Sequence, residues 1–255
     1  MRQDIIKLFI ALLLVEISLV FVYWLDLRLG YPSEILHYLF DLNGEANIPT
    51  WFSSIQLFTI GIVFFLTARS IPVHGIENRR FTTALALIFT GLSLDETAII
   101  HERLNDSLAK FRFLLRFNDL NDGIWIPIYL LLIALVFLYL CRHFRIVFQT
   151  DRAACLLIMG GVGVFILGAI GMEIFDDVYL LKVQKSTLYH LESMAEEFCE
   201  MFGATLILCG AQSYPDWSSR LFSITSSTTS WEADHGFHPA RVGALAPHHG
   251  RCHVD

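Results

Sequence analysis

An all-α integral membrane bundle of six transmembrane helices is the fold that the sequence predicts, and three observations predict it. Hydrophobic residues make up 55% of the 255-residue chain and charged residues 17%, against about 45–50% and about 25% in soluble domains. The mean hydropathy is +0.54. Apolar residues also gather into six runs of the length a bilayer demands, since about 30 Å of hydrocarbon takes about 20 helical residues. This composition argues against an ordinary cytosolic enzyme and against a disordered protein. The net charge of −7 excludes nucleic acid as a partner, because phosphate binding needs a basic face. The partner implied is the lipid bilayer.

The runs cover residues 5–25, 51–70, 82–100, 124–141, 153–172 and 194–211. Arg2 and Lys7 give the first run the look of a signal peptide. Its apolar stretch is too long for one, and Val22-Tyr23-Trp24-Leu25 is no small-residue cleavage site, so it reads as a retained helix. Tyr23, Trp24, Trp51 and Trp125 fall at run ends, where amphipathic rings sit at the headgroup level. Glu16 in the first run and Gln56 in the second are polar residues inside spans, with a packing role or a proton relay as their readings. In the fifth run, Ala154, Gly161 and Gly168 recur every seven residues, with Ala153 and Gly160 beside them. Such a seam lets helix backbones approach closely and makes this helix central in the bundle. Four of the five cysteines (Cys141, Cys155, Cys199, Cys209) lie in or beside apolar runs and form no disulfide framework.

The bundle is expected to occupy residues 1–212, and residues 213–255 to be a disordered tail. Ser223 to Ser230 is a Ser/Thr tract, and Gly, Pro and His without periodicity follow it. His235, His238, His248, His249 and His253 lie in this tail.

Orientation follows from basic residues near the helix ends. With the N-terminus inside, nine basic residues fall on the cytoplasmic side, among them Arg69, Arg79, Arg80, Arg142, Arg145 and Arg152. Seven fall outside, four of them (Arg103, Lys110, Arg112, Arg116) in the 101–123 loop. Both short hairpin loops, 71–81 and 142–152, are basic. Both termini are therefore expected in the cytoplasm, with the bundle in a bacterial inner membrane.

On this topology 17 of the 25 acids collect on the outer side. They include Asp26, Glu34, Asp41 and Glu45 from the first loop, and Asp119 and Asp122 before the fourth run. Within the spans two clusters are costly to insert, since an ionised Asp at mid-membrane costs about 2.5–3.5 kcal/mol. The first is Ser93-Leu94-Asp95-Glu96-Thr97-Ala98-Ile99-Ile100-His101-Glu102. If helical throughout, it puts Asp95 and Glu102 on one face and pairs Thr97 with His101. The second is Glu192, Glu196 and Glu200, an i,i+4,i+8 stripe with Cys199 beside it and His190 just before. Like charges so stacked need a cation, a shared proton or a basic neighbour. Glu173, Asp176 and Asp177 share the same membrane level.

Mixed carboxylate and imidazole ligands suit Zn, Mn or Fe, and carboxylates with water suit Mg or Ca. The expected ligands of a divalent metal ion are Asp95, Glu102, Glu196 and Glu200, with His101 or His190 as ligand or general base. Ser93, His101 and His190 are the catalytic candidates, for metal-dependent hydrolysis of a lipid-like substrate. Three alternatives stand beside that reading: cation sensing, a proton- or cation-coupled transporter, and a non-catalytic assembly factor. In a structural role the acids would bond between helices or pair with Arg103, Lys182 or Lys185. Within the six runs there is no Glu-x-x-His, and the chain has no His-Glu-x-x-His, nucleophile elbow, phosphate loop or dinucleotide fingerprint.

Ser93-Leu94-Asp95-Glu96 with His101-Glu102, and Glu196-Glu197-Phe198-Cys199-Glu200-Met201-Phe202-Gly203, resemble a pattern in uncharacterised bacterial multipass membrane proteins. The resemblance covers residues 1–212 and implies a membrane location and an acidic site on the third and sixth helices. Ser93, Asp95, His101 and His190 also match in type the Ser, Asp and His residues that ceramidase-like intramembrane hydrolases place around zinc. The His-x-x-x-His pair of that superfamily is missing from residues 1–212.

Overall fold

Leu14, Phe21, Trp51, Phe58, Leu131 and Leu138 stand exposed on the helices, while Glu16, Ser53, Gln56 and Thr205 are buried between them. Water-soluble proteins rarely leave large contiguous apolar faces uncovered. A computed structural model describes residues 3–71, 76–109, 125–175 and 187–234, and every element in them is helical. The order is α1 (Gln3–Leu29), α2 (Glu34–Phe40), α3 (Ile48–Ser70), α4 (Ile76–Ala98), α5 (Ile100–Ala109) and α6 (Ile126–Thr150). Then come α7 (Arg152–Ile166), a π-helical stretch (Leu167–Met172), the single turn α8 (Glu173–Phe175) and α9 (Thr187–Asp234).

Local chemistry sets several starts. Asn47 caps α3 by accepting the Thr50 N–H, with Pro49 in the first turn, where its missing donor costs nothing. Asp151 caps α7 through the Ala154 N–H at 3.0 Å, and Ser33 caps α2 through the Leu36 N–H at 3.4 Å. Side-chain acceptors of this kind satisfy helix N–H groups that have no partner inside the helix.

Three helices are long and apolar enough to cross a membrane: Gln3–Leu29, Ile48–Ser70 and the Arg152–Phe175 unit. Ile126–Cys141 is a shorter apolar segment of α6. The expected runs 82–100 and 194–211 lie on α4 and α9, whose acidic ends dilute their hydropathy. The last helix continues to Asp234, through the Ser/Thr tract of the segment expected to be disordered. Once a helix is nucleated, each added residue fixes only its own dihedrals for one hydrogen bond. The His-rich end at 235–255, Lys110, Arg112, Arg116, Asp119, Asp122, Asp176, Asp177, Lys182 and Lys185 lie outside the described residues.

The core joins α3, α4, α7 and α9 through Leu57, Ile60, Phe64, Phe89, Ile158, Ala204 and Ile207. The small-residue seam of α7 meets a matching seam on α9. A Cβ at Gly161 would stand 2.7 Å from the Gly203 carbonyl oxygen, and one at Gly203 would stand 2.7 Å from the Phe165 nitrogen. One at Gly210 would meet the Ala154 carbonyl at 3.0 Å. Backbone packs on backbone along this line, which is how helices associate where lipid removes the hydrophobic incentive. Further along, Gly168 in the π-helical stretch lies against Glu196, Cys199 and Glu200 of α9. The seam therefore fixes the height of the acidic residues on α9.

Candidate functional site

The 93–102 segment is not one helix. Helix α4 stops at Ala98, Ile99 takes φ +54°, and α5 starts at Ile100. A β-branched residue in the left-handed region is rare and costs on the order of 1–2 kcal/mol. Asp95 stabilises the break. Its Oδ1 accepts the His101 backbone N–H at 2.9 Å, as a cap for α5, and its Oδ2 accepts the Tyr129 hydroxyl at 3.1 Å. The expected single face carrying Asp95 and Glu102, and the Thr97–His101 pair, are thereby corrected. Thr97 Oγ1 lies instead 2.7 Å from Ser54 Oγ.

The turn at Ile99 re-aims His101 and Glu102. The His101 ring lies against Trp125, with ring centres 5.1 Å apart, and its Nδ1 is 3.5 Å from Asp95 Oδ1. Trp125 packs edge-on against Tyr129 at 5.1 Å, so the imidazole is held between an acid and an aromatic wall. Its Nε2 is the ring atom left to face a ligand.

Opposite stands Glu45, on the loop between α2 and α3. Asp41 Oδ1 accepts the Asn43 N–H at 3.0 Å, and Asn47 Nδ2 donates to the Asp41 carbonyl at 2.6 Å and to the Gly44 carbonyl. Ala46 at φ +58° completes the turn. Ser193 of α9 donates to Asn43 Oδ1 at 3.0 Å, tying the loop to the bundle. Thr50 Oγ1 reaches Glu45 Oε2 at 3.4 Å. One ligand atom each from Glu45, His101 and Glu102 lies within 4.8 Å of the other two. Glu45 and His101 are half-buried and Glu102 is exposed.

The electrostatics are those of a site short of positive charge. Burial, and then the Glu102 carboxylate, push Glu45 above the ordinary range, only partly offset by His101. At His101 burial favours the neutral ring, yet Asp95, with Glu102 and Glu45 behind it, outweighs burial and raises the imidazole. A bound cation would relieve Glu45 and compete with the proton on His101.

The other expected residues are placed as follows. Glu196 and Glu200 lie half-buried on α9, and Glu200 is within electrostatic reach of Glu45, Glu96 and Glu197. They are not part of the three-residue group. His190 turns to α1, its Nδ1 3.0 Å from the Tyr23 hydroxyl. Buried Ser93 is bonded to Ser54, with Oγ atoms 2.9 Å apart, in a hydroxyl cluster that holds α3 to α4. Deeper in the bundle, Gln56 Nε2 donates to Glu16 Oε1 at 3.0 Å and to Thr205 Oγ1 at 2.8 Å. Thr205 Oγ1 donates to Glu16 Oε1 at 2.6 Å.

Sequence reasoning counted Glu45 only among the outer acids and left Thr205 unremarked. Glu45 is 56 residues from His101, and no spacing rule links a loop acid to a helix start. For Thr205 a signal exists: a buried Glu and Gln on neighbouring spans call for a polar partner on a third.

A family model described as a domain of unknown function (DUF8692) matches residues 7–213, and the chain belongs to this family. No curated protein and no solved structure matches the chain.

Proposed function

We propose that this family member is a multipass membrane protein of six spans that binds a divalent cation at its non-cytoplasmic end. The ligands are Glu45, His101 and Glu102, and the convergence of these three groups from the α2–α3 loop and the start of α5 is the observation that carries the reading. One imidazole with two carboxylates suits Zn, Mn or Fe. Asp95 beside Nδ1 is the outer partner that metal-binding histidines usually have. The exposed apolar faces of α1, α3 and α6 support insertion in a bilayer, and the basic residues of 71–81 and 142–152 support an N-in, C-in orientation.

Cation sensing fits this site better than serine-based hydrolysis of a lipid-like substrate. The Ser93 hydroxyl is committed to Ser54, and among the described residues neither His101 nor His190 is a hydrogen-bond partner of it. Elemental analysis of purified wild type beside Glu45→Gln, His101→Gln and Glu102→Gln tests the reading. One bound metal per chain, lost in the variants, is expected; a metal-free wild type after incubation with Zn and Mn sinks it.

A second reading, a proton- or cation-coupled transporter, is favoured by the Glu16–Gln56–Thr205 group inside the bundle. It predicts a pH-dependent flux in vesicles that survives chelation and is lost in Glu16→Leu.

A further inference from the structure

We propose that Glu16 carries a proton and pairs as a neutral acid with the Gln56 amide, and that this one-proton site docks α1 on α3 and α9. Glu16 and Thr205 are fully buried and Gln56 nearly so. Every polar hydrogen of the three side chains is already placed. The two Gln56 Nε2 hydrogens go to Glu16 Oε1 at 3.0 Å and to Thr205 Oγ1 at 2.8 Å. The Thr205 hydroxyl donates to the same Glu16 Oε1 at 2.6 Å. Two acceptors remain, Glu16 Oε2 and Gln56 Oε1, each shielded from solvent and without a hydrogen-bond partner.

Both are lone-pair oxygens, so neither can satisfy the other while Glu16 is ionised. A proton on Glu16 Oε2 makes it a donor, and the free acceptor belongs to the amide whose nitrogen already meets Oε1. Acid and amide then close a ring of two hydrogen bonds, one O–H to oxygen and one N–H to oxygen. A bridging water would satisfy both oxygens but leave a carboxylate charge buried in the span. Among the described residues no cationic side chain pairs with Glu16. Its titratable neighbour is the buried Cys209 thiol, one turn past Thr205 on α9, which brings no positive charge. A divalent ion takes about six to eight oxygens and would find these two free. The docking role follows from the place of Glu16 on α1. Phe9, Glu16 and Tyr23 recur every seven residues and so share a face. Phe9 meets Phe202 of α9 with ring centres 6.2 Å apart, and Tyr23 meets His190 of α9 at 3.0 Å. Glu16 is the polar link between them and reaches α3 as well. Loss of the proton would leave an unpaired buried charge at that contact, which moving α1 away relieves.

The pair is independent of the outer cation site and does not require the bundle to carry flux. Infrared difference spectra of the full-length protein in nanodiscs, wild type minus Glu16→Gln, test it at neutral pH. The carbonyl band of a protonated acid is expected in wild type, shifted in D2O, and moved again by Gln56→Leu, which removes the ring. Glu16→Gln, close in shape to the neutral acid, keeps the test open should Gln56→Leu fail to fold. Carboxylate bands in place of the acid band, or an acid band that Gln56→Leu does not move, overturn the pair. Raising the pH should remove the acid band only together with a fall in Tm relative to Glu16→Gln. Loss of the band at an unchanged Tm difference overturns the docking role. Vesicles without flux that still show the band count against the transporter reading and for the pair.

Discussion

Asp95 holds His101 twice, through the backbone N–H at 2.9 Å and beside the ring Nδ1 at 3.5 Å, both at the same Oδ1 atom. One carboxylate thus ends one helix, starts the next and orients an imidazole. Asp95→Asn keeps the size but weakens both contacts, and metal affinity at the Glu45–His101–Glu102 group should fall 10–100-fold. Tyr129→Phe, which removes the hydroxyl donor to the other oxygen, should cost less. A titration with Zn2+ or Mn2+ reads both, and an unaffected affinity in Asp95→Asn would remove its positioning role.

The bend itself depends on Ile99. Glycine reaches φ +54° freely, so Ile99→Gly should stabilise by about 1 kcal/mol. For a chain of this size that is a rise in Tm of about 2–4 °C. Ile99→Pro fixes φ near −65° and should abolish the turn and metal binding together.

At the α7–α9 seam no side chain can move aside, because the atoms a new Cβ would meet include main-chain ones. Gly161→Ala and Gly203→Ala should each destabilise by about 1–3 kcal/mol. Gly160→Ala is the control, having open space at its Cβ. Thermal unfolding in detergent micelles separates them, and equal Tm values for Gly160→Ala and Gly161→Ala would contradict the packing.

The pH dependence has a definite sign. In the metal-free protein both His101 and Glu45 hold their protons more tightly than in the unfolded chain. Their stabilising contributions are complete below the unfolded values, about 4.3 for Glu and about 6.5 for His. Each is lost as pH rises through the higher folded value. Metal-free protein should therefore lose stability from the weakly acidic range through neutrality, and His101→Gln should flatten the upper part of that slope. Saturating divalent cation should reverse the trend, because deprotonated ligands bind it best. A slope unchanged by His101→Gln would exclude the imidazole as its source.

Inside the bundle, Glu16→Gln retains an acceptor for Gln56 and Thr205, whereas Glu16→Leu leaves the buried Thr205 hydroxyl without an acceptor and Gln56 Nε2 with Thr205 alone. The leucine variant should be less stable by about 1–3 kcal/mol, and the glutamine variant close to wild type. Chemical denaturation of the two variants in the same micelle compares them directly.

Sequence alone determined the apolar character, the places where helices run, the glycine seam and the collection of acids at one end. Each of these is a local or periodic property: a seven-residue repeat of small residues reads directly as a face, while its match at Gly203 and Gly210 of α9 came from the structure. Periodicity also carried 93–102 through as one helix, because nothing in Ala98-Ile99-Ile100 marks a left-handed residue. That single dihedral, stabilised by Asp95 and by Tyr129 from another helix, was decided only in the tertiary structure. The same holds for Glu45, brought to His101 by a loop tied to α9, and for His190, claimed by Tyr23 of α1. Helical spacing relates neighbours on one element, whereas the meeting of groups on different elements depends on how deeply the helices slide past one another. Backbone contact at Gly161 and Gly203 sets that depth.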